Sequence, residues 1–249
     1  MKEVRLTHFF ENKWGTYTTD LFYPPEEQNK IHPAIVFTHG LWAQKEWYNW
    51  IAEYLASQGY LTFLFTVPSR KCIDPQQWSD GIKSAIDYLL SGNNSLYKII
   101  HPGKIGVMGH SMGGLGTLRA GSEDSRIKCI VGLAPAILPE HFPISKDIFD
   151  ISIPTQLQIG SKDGIIPPEN VKEFFINLQS KNKSFIEIEG GNHMRFLDKT
   201  TISTIGEYFT RLGLLGRQLK DGRAEITFEE QHNISSKGFM EWFNHYLKP

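Results

Sequence analysis

Apolar residues change their rhythm twice along this chain. "EVRLTHFFE" and "TYTTDLFYP" alternate apolar and polar positions on either side of "NKWG", which predicts two antiparallel strands paired as a hairpin. "PAIVFTHG" then runs apolar without interruption and stops at a turn, as a strand buried on both faces does. Beyond it, Trp47, Trp50, Ile51, Tyr54 and Leu55 recur at helical spacing up to Gly59. "YLTFLFTV" repeats the buried-strand pattern, and Ile82, Ala85, Ile86, Leu89 and Leu90 make one face of the helix after it. The alternation continues with the strand "KIGVMGHS", the helix "GGLGTLRAGS" and the strands "IKCIVGLAPA" and "PTQLQIGSKD". A helix through Val171, Phe174, Phe175 and Leu178, the strand "SFIEIEGG" and a helix through Ile202, Ile205, Phe209 and Leu212 follow. "GFMEWFNHYL" is the last amphipathic helix, and the polar stretch 216–235 before it has no clear period.

This order predicts an α/β fold: a mostly parallel central sheet with helices on both faces, right-handed crossovers and an N-terminal antiparallel hairpin. No repeat, linker or low-complexity run interrupts it. The expectation is therefore one domain over 1–249, with 216–249 a C-terminal extension that ends in the final helix. A chain of 249 residues, 40% of them hydrophobic, is long enough for one large core. The 26 basic and 27 acidic residues are spread along the chain, so no nucleic-acid surface is expected. No stretch has the roughly 18 consecutive apolar residues of a membrane span. "MKEVRLTHFF" lacks an apolar signal core, so a cytoplasmic protein is the expectation. Cys72 and Cys129 sit in dissimilar surroundings and are expected to be free thiols.

In open α/β sheets, ligands bind beyond the carboxyl ends of the strands. The segments that follow the apolar runs there carry a serine, an aspartate and a histidine, in that order. "GHSMG" fits G-x-S-x-G. Ser111 would sit on a sharp strand-to-helix turn, where Gly109 and Gly113 remove side chains that would otherwise collide. A nucleotide-binding turn is the competing reading, but no G-x-G-x-x-G follows the strand directly and no Walker lysine is present. A serine hydroxyl needs a base, and the base needs an orienting group. His193 in "EGGNHMRF" follows the last apolar strand and is the candidate base. His39 and His110 belong to turn motifs, and the remaining histidines follow no pattern. Asp163 in "QIGSKDGIIPP" is the candidate orienter, because Asp147 and Asp150 precede their strand and would lie at the wrong edge. An oxyanion needs two backbone donors. Met112 would supply one and Leu41 in "THGLW" the other, with Trp42 as the alternative. No ligand spacing for zinc is present, and no metal or cofactor is expected.

The chain resembles the α/β-hydrolase superfamily, in which the order Ser, Asp, His along the chain is characteristic. Within it, "GHSMGGLGTLRA", "IPTQLQIGSKDGIIPP" and "EIEGGNHMRF" are most similar to the dienelactone-hydrolase-like esterases and the bacterial cutinases and polyester hydrolases. The resemblance covers roughly residues 30–215. It implies a serine esterase without a large cap domain that cleaves small acyl or aryl esters through an acyl-enzyme. The triad would be Ser111, Asp163 and His193, with Leu41 and Met112 as oxyanion donors. A thioesterase or peptidase of the same fold, or a non-catalytic binding protein, is the alternative. Three departures bear on the pocket. The cutinase tryptophan after the fourth buried strand is replaced by Ala136 in "LAPAIL". The segment 137–153 is longer and brings Phe142, Pro143 and Phe149, and no C-terminal cysteine pair is present. Trp42, Ala136 and Phe142 are the candidate pocket residues, with Trp47 and Trp78 open as either lining or core.

Overall fold

The computed structural model describes residues 4–24, 30–94, 96–142, 144–200 and 221–248. The helix expected through Ile202, Ile205, Phe209 and Leu212 lies outside the described residues, as do Pro143 and 216–220. The described strands are β1 (Val4–Asn12), β2 (Gly15–Tyr23), β3 (His32–Thr38), β4 (Leu61–Thr66), β5 (Ile100–His110), β6 (Ile127–Leu133), β7 (Thr155–Gly160) and β8 (Lys183–Ile188). They form one eight-stranded sheet in the order β1-β2-β4-β3-β5-β6-β7-β8. β1 and β2 pair antiparallel from Val4↔Tyr23 to Asn12↔Gly15, leaving Lys13 and Trp14 as the turn. β2 also pairs antiparallel with β4, and every later pair is parallel. This is the mostly parallel sheet with an N-terminal hairpin expected from the apolar pattern, and it fits the α/β-hydrolase fold that the resemblance implies.

Around the sheet lie α1 (Asn49–Ser57), α2 (Pro75–Leu90), α3 (Met112–Glu123), the short α4 (Lys146–Phe149), α5 (Pro168–Asn177) and α6 (Phe228–Leu247). Side chains of a strand alternate between faces, and β5 uses both. A Cβ on Gly106 would meet Phe243 and Leu247 of α6 within 3.0 Å, whereas one on Gly109 would meet Thr117 of α3 at 2.6 Å. α3 and α6 therefore cover opposite faces of the same central strand. Among the described residues, no helix is long and apolar enough to cross a membrane. Cys72 and Cys129 are free thiols.

Two polar assemblies fix elements that apolar packing alone would leave free to slide. Asp20 on β2 is almost inaccessible and meets Lys45 Nζ at 2.7 Å and Arg5 Nη2 at 2.6 Å. Burial raises the Asp20 pKa, but these two cations outweigh it and hold the carboxyl below its ordinary value. The triad ties the hairpin to the turn Lys45–Tyr48 that leads into α1. At the other end, Gln158 Nε2 of β7 donates to Gln156 Oε1 at 2.8 Å and to the Ser235 carbonyl of α6 at 3.1 Å. Ser235 Oγ donates back to Gln158 Oε1 at 2.6 Å, and Gln156 Nε2 reaches the Gly238 carbonyl at 3.2 Å.

α6 corrects one expectation. It begins at Phe228, so the second half of the stretch read as a polar excursion is helical. A capping box starts it: the Glu230 N–H donates to Thr227 Oγ1 at 3.1 Å, and the Thr227 N–H donates to Glu230 Oε2 at 2.7 Å. The first turns carry no apolar stripe because their inward residues, Gln231 and Ser235, are buried by hydrogen bonding rather than by hydrophobicity.

α3 crosses α2 so closely that a Cβ on Gly116 would lie 2.3 Å from Trp78 Cβ. Alanine would gain about 1 kcal/mol of helix propensity. Overpacking against a fully buried tryptophan costs about 1–3 kcal/mol, and a side chain's Cβ cannot swing away. Gly116→Ala is therefore expected to lower the midpoint of urea unfolding. A midpoint equal to or above that of the parent would show that the crossing can open.

Candidate active site

Three non-glycine residues have left-handed backbone among those described: Trp42 (φ 62°), Ser111 (φ 56°) and Ala134 (φ 41°). All three follow the carboxyl ends of the neighbouring strands β3, β5 and β6. Such conformations cost of order 1–3 kcal/mol each, and they persist only where the surroundings impose them. Ser111 is held from two sides. Its N–H donates to the Leu133 carbonyl at 2.9 Å, and its carbonyl accepts from Ala136 N–H at 2.9 Å.

The glycines around it act as expected. A Cβ on Gly109 would lie 2.4 Å from the Gly113 carbonyl oxygen, and one on Gly113 would lie 2.4 Å from the His39 oxygen. The strand, the helix and the loop after β3 meet backbone to backbone. A Cβ on Gly40 would sit 3.0 Å from Ser111 Cβ, so that loop borders the serine directly.

His39 holds the loop in shape. Its Nε2 accepts from Val67 N–H at 3.1 Å, so its Nδ1 carries the proton and donates to the Gly40 carbonyl at 2.6 Å. Burial pushes the His39 pKa down to about 4, so the ring stays neutral. Trp78 is fully buried, and its Nε1–H donates to the His39 carbonyl at 2.8 Å, so it supports the loop from the core. Of the two candidate donors in this loop, Trp42 N–H is engaged by the Arg70 carbonyl at 2.8 Å. The N–H groups of Leu41 and Met112 make no hydrogen bond to another described residue. Met112 opens α3, so its amide also carries the positive end of the helix dipole.

Asp163 and His193 come together from the loops after β7 and β8. His193 Nδ1 lies 2.7 Å from Asp163 Oδ2, with both side chains almost inaccessible. A carboxylate can only accept, so Nδ1 carries the proton and Nε2 presents a lone pair. Asp163 Oδ1 accepts from Ile165 N–H at 2.9 Å and Ile166 N–H at 2.8 Å, which fixes the carboxylate. The His193 ring lies 4.4 Å from that of His110, the residue before Ser111. Burial opposes a charge on His193, but Asp163 and then Asp221 outweigh it and raise its pKa above the ordinary histidine value. Burial and the neighbouring His193 hold His110 well below that value. Tyr48 Oη lies 2.8 Å from His110 Nδ1 and accepts weakly from Gly40 N–H at 3.4 Å, linking the turn of β5 to the loop after β3.

One residue that the sequence did not single out holds the histidine loop. Buried Gln231 on α6 accepts from Asn192 N–H at 3.0 Å and donates to the Asn192 carbonyl at 2.9 Å. It pairs with the peptide next to His193 as a neighbouring strand would. The pattern T-x-x-E just upstream was the available signal, since it puts Gln231 inside a helix. Among the described residues, no group of three or more His, Cys, Asp or Glu is arranged to hold a metal ion.

The pocket candidates divide. Trp42 is 39% exposed, whereas Ala136 is buried directly against the Ser111 carbonyl. Phe142 is partly buried against the core. Phe149 turns away: its ring packs 5.0 Å from Phe174 of α5, and it lines a depression of about 140 Å³ together with Ile137, Pro139 and Asn177.

A family model described as PET hydrolase-like matches residues 7–225. A bis(hydroxyethyl) terephthalate hydrolase of Streptomyces coelicolor is 30% identical over 192 residues, 76% of this chain and 58% of that protein. The cutinases est1 and est2 of Thermobifida alba are each 30% identical, over 76% and 84% of this chain and 61% and 66% of their own lengths. The chain thus spans about three fifths of the length of the curated relatives it matches.

The geometry sets an order of titration. Followed by NMR, His193 should titrate above the ordinary value of about 6.5, and His110 should stay neutral throughout the native range. Asp163→Asn removes the charge that favours the imidazolium and should bring His193 down. A His193 titration unchanged in that variant would mean that the 2.7 Å contact does not persist in solution.

Proposed function

This chain belongs to the PET hydrolase-like family, and we propose that it is a serine carboxylesterase that cleaves small acyl and aryl esters through an acyl-enzyme. The observation that carries the reading is the conjunction at one sheet rim of a serine at φ 56° with a buried His–Asp pair at 2.7 Å. Ser111 Oγ attacks the ester carbonyl while His193 Nε2 takes its proton. Asp163 holds Nδ1–H and stabilises the imidazolium as it forms. The N–H groups of Leu41 and Met112 receive the oxyanion, and removing one such donor typically costs about 10²–10³ in kcat. The imidazolium then protonates the leaving alcohol, and a water activated by neutral His193 frees the acid.

The substrate class follows from the walls. A ring stacked beside the scissile bond adds about 0.5–1.5 kcal/mol beyond its burial. Ala136 carries no ring, and Phe149 is packed against Phe174. Trp42 is the exposed aromatic of the loop that borders Ser111. Soluble esters, aromatic diesters included, fit this rim better than a polymer surface. Relatives named as cutinases and as a terephthalate diester hydrolase agree with ester chemistry of this kind.

Ser111→Ala should lower kcat on a p-nitrophenyl ester by roughly 10⁴-fold or more with the fold kept, and an organophosphonate should label Ser111 of the parent. An adduct mapped to any other residue would refute the nucleophile. His193 must be neutral to act as a base and its pKa is raised, so kcat/KM should rise with pH along an acidic limb centred above about 6.5. A limb at or below that value contradicts the Asp163–His193 pair as the working base. On a matched terephthalate diester and film, the diester should be hydrolysed much faster, and equal rates would count against the walls described.

A further inference from the structure

The segment that starts at Asp221 reaches the loops of both Asp163 and His193. Asp221 Oδ1 accepts from Gly164 N–H at 3.1 Å, the residue after Asp163, and from His193 N–H at 3.2 Å. Its Oδ2 accepts from Met194 N–H at 2.9 Å. Neighbouring contacts hold the segment down. Asn192 Nδ2 donates to the Gly222 carbonyl at 2.7 Å, Glu225 N–H donates to the Gly190 carbonyl at 2.7 Å, and Lys162 pairs with Glu225 at 3.0 Å.

No lysine or arginine among the described residues pairs with Asp221. Among the described residues, three amide donors and no cation answer the charge of this partly buried carboxylate. Burial accordingly raises its pKa, and His193 is the foremost group that counters this. The charged and titratable groups facing His193 are Asp163 from the loop after β7, Asp221 from this segment and His110 from β5. The Lys162–Glu225 pair flanks the segment.

We propose that Asp221 is a positioning residue for the triad. Its carboxylate staples the Asp163 loop to the His193 loop, and it supplies a second negative charge toward which the imidazolium forms. The proposal rests on the esterase reading of Ser111, Asp163 and His193. A purely structural staple would need the hydrogen bonds alone. A positioning role needs the charge as well, because His193 gains a proton in both halves of the reaction.

Asp221→Asn removes the charge and keeps one acceptor oxygen for the Gly164 and His193 N–H groups, at the loss of the Met194 bond, so the His193 titration, rather than turnover, reads the charge. NMR titration of His193 is independent of turnover, and in Asp221→Asn it should move to lower pH. The acidic limb of kcat/KM should move with it, and kcat should fall severalfold while KM stays within about twofold. Asp221→Ala, which also unties the loops, should lose roughly 10- to 100-fold in kcat. If Asp221→Ala does not fold, Asp221→Asn carries the test alone. An unmoved His193 titration together with an unchanged kcat in Asp221→Asn overturns the proposal. Absence of organophosphonate labelling on Ser111 of the parent would instead sink the esterase reading, which that titration does not depend on.

Discussion

The contact between the Gly109 and Gly113 backbones is the constraint on which the rest of the rim depends. β5 can hand over to α3 in a single residue only if the peptides on either side of Ser111 touch, and they do so with no room for a Cβ. With that closeness Ser111 takes a positive φ, and α3 starts at the very next residue, Met112. It also brings Gly113 against the His39 and Thr38 carbonyls, so the loop after β3 is positioned by the same turn. Ser111 and the candidate oxyanion donors Leu41 and Met112 thus share one backbone junction.

The candidate base is supplied differently. His193 comes from the loop after β8, which Phe196 and Leu197 anchor in the core, and it is held by hydrogen bonds from three directions. Asp163 takes its ring, Gln231 takes the peptide before it, and Asp221 takes its N–H and the next. Net contributions of about 0.5–1.5 kcal/mol each are modest for stability. Their directionality is what matters here, because an imidazole displaced by an ångström or so is a poor base.

The sheet was legible in the sequence because buried parallel strands read as unbroken apolar runs, and the candidate serine, aspartate and histidine follow those runs directly. What hydrophobic pattern could not reveal was the polar interior. Gln156, Gln158, Gln231 and Ser235 are buried yet polar, so the start of α6 showed no clear period. Trp78 was equally compatible with pocket and core on type alone, and only its bond to the His39 carbonyl assigns it to the core. Phe149 lies on the longer segment 137–153, but its ring packs against Phe174 of α5. Asp221 follows no motif, and its contacts join loops more than 25 residues apart in sequence.

The glutamine–serine lattice between β7 and α6 bears on the site from a distance. A helix seated on an apolar sheet face can shift along its axis at little cost, since one aliphatic contact replaces another. Here a shift by one residue would break the bonds of Gln158 and Ser235 together and leave buried amides without partners. α6 is thereby indexed to the sheet, like a gear tooth in its notch. Gln231, one turn upstream of Ser235 on the same helix, inherits that indexing and transmits it to Asn192 and His193. The placement of the candidate base is thus calibrated by the polar interface between β7 and α6, and changes at Gln158 or Ser235 would retune a site they never touch.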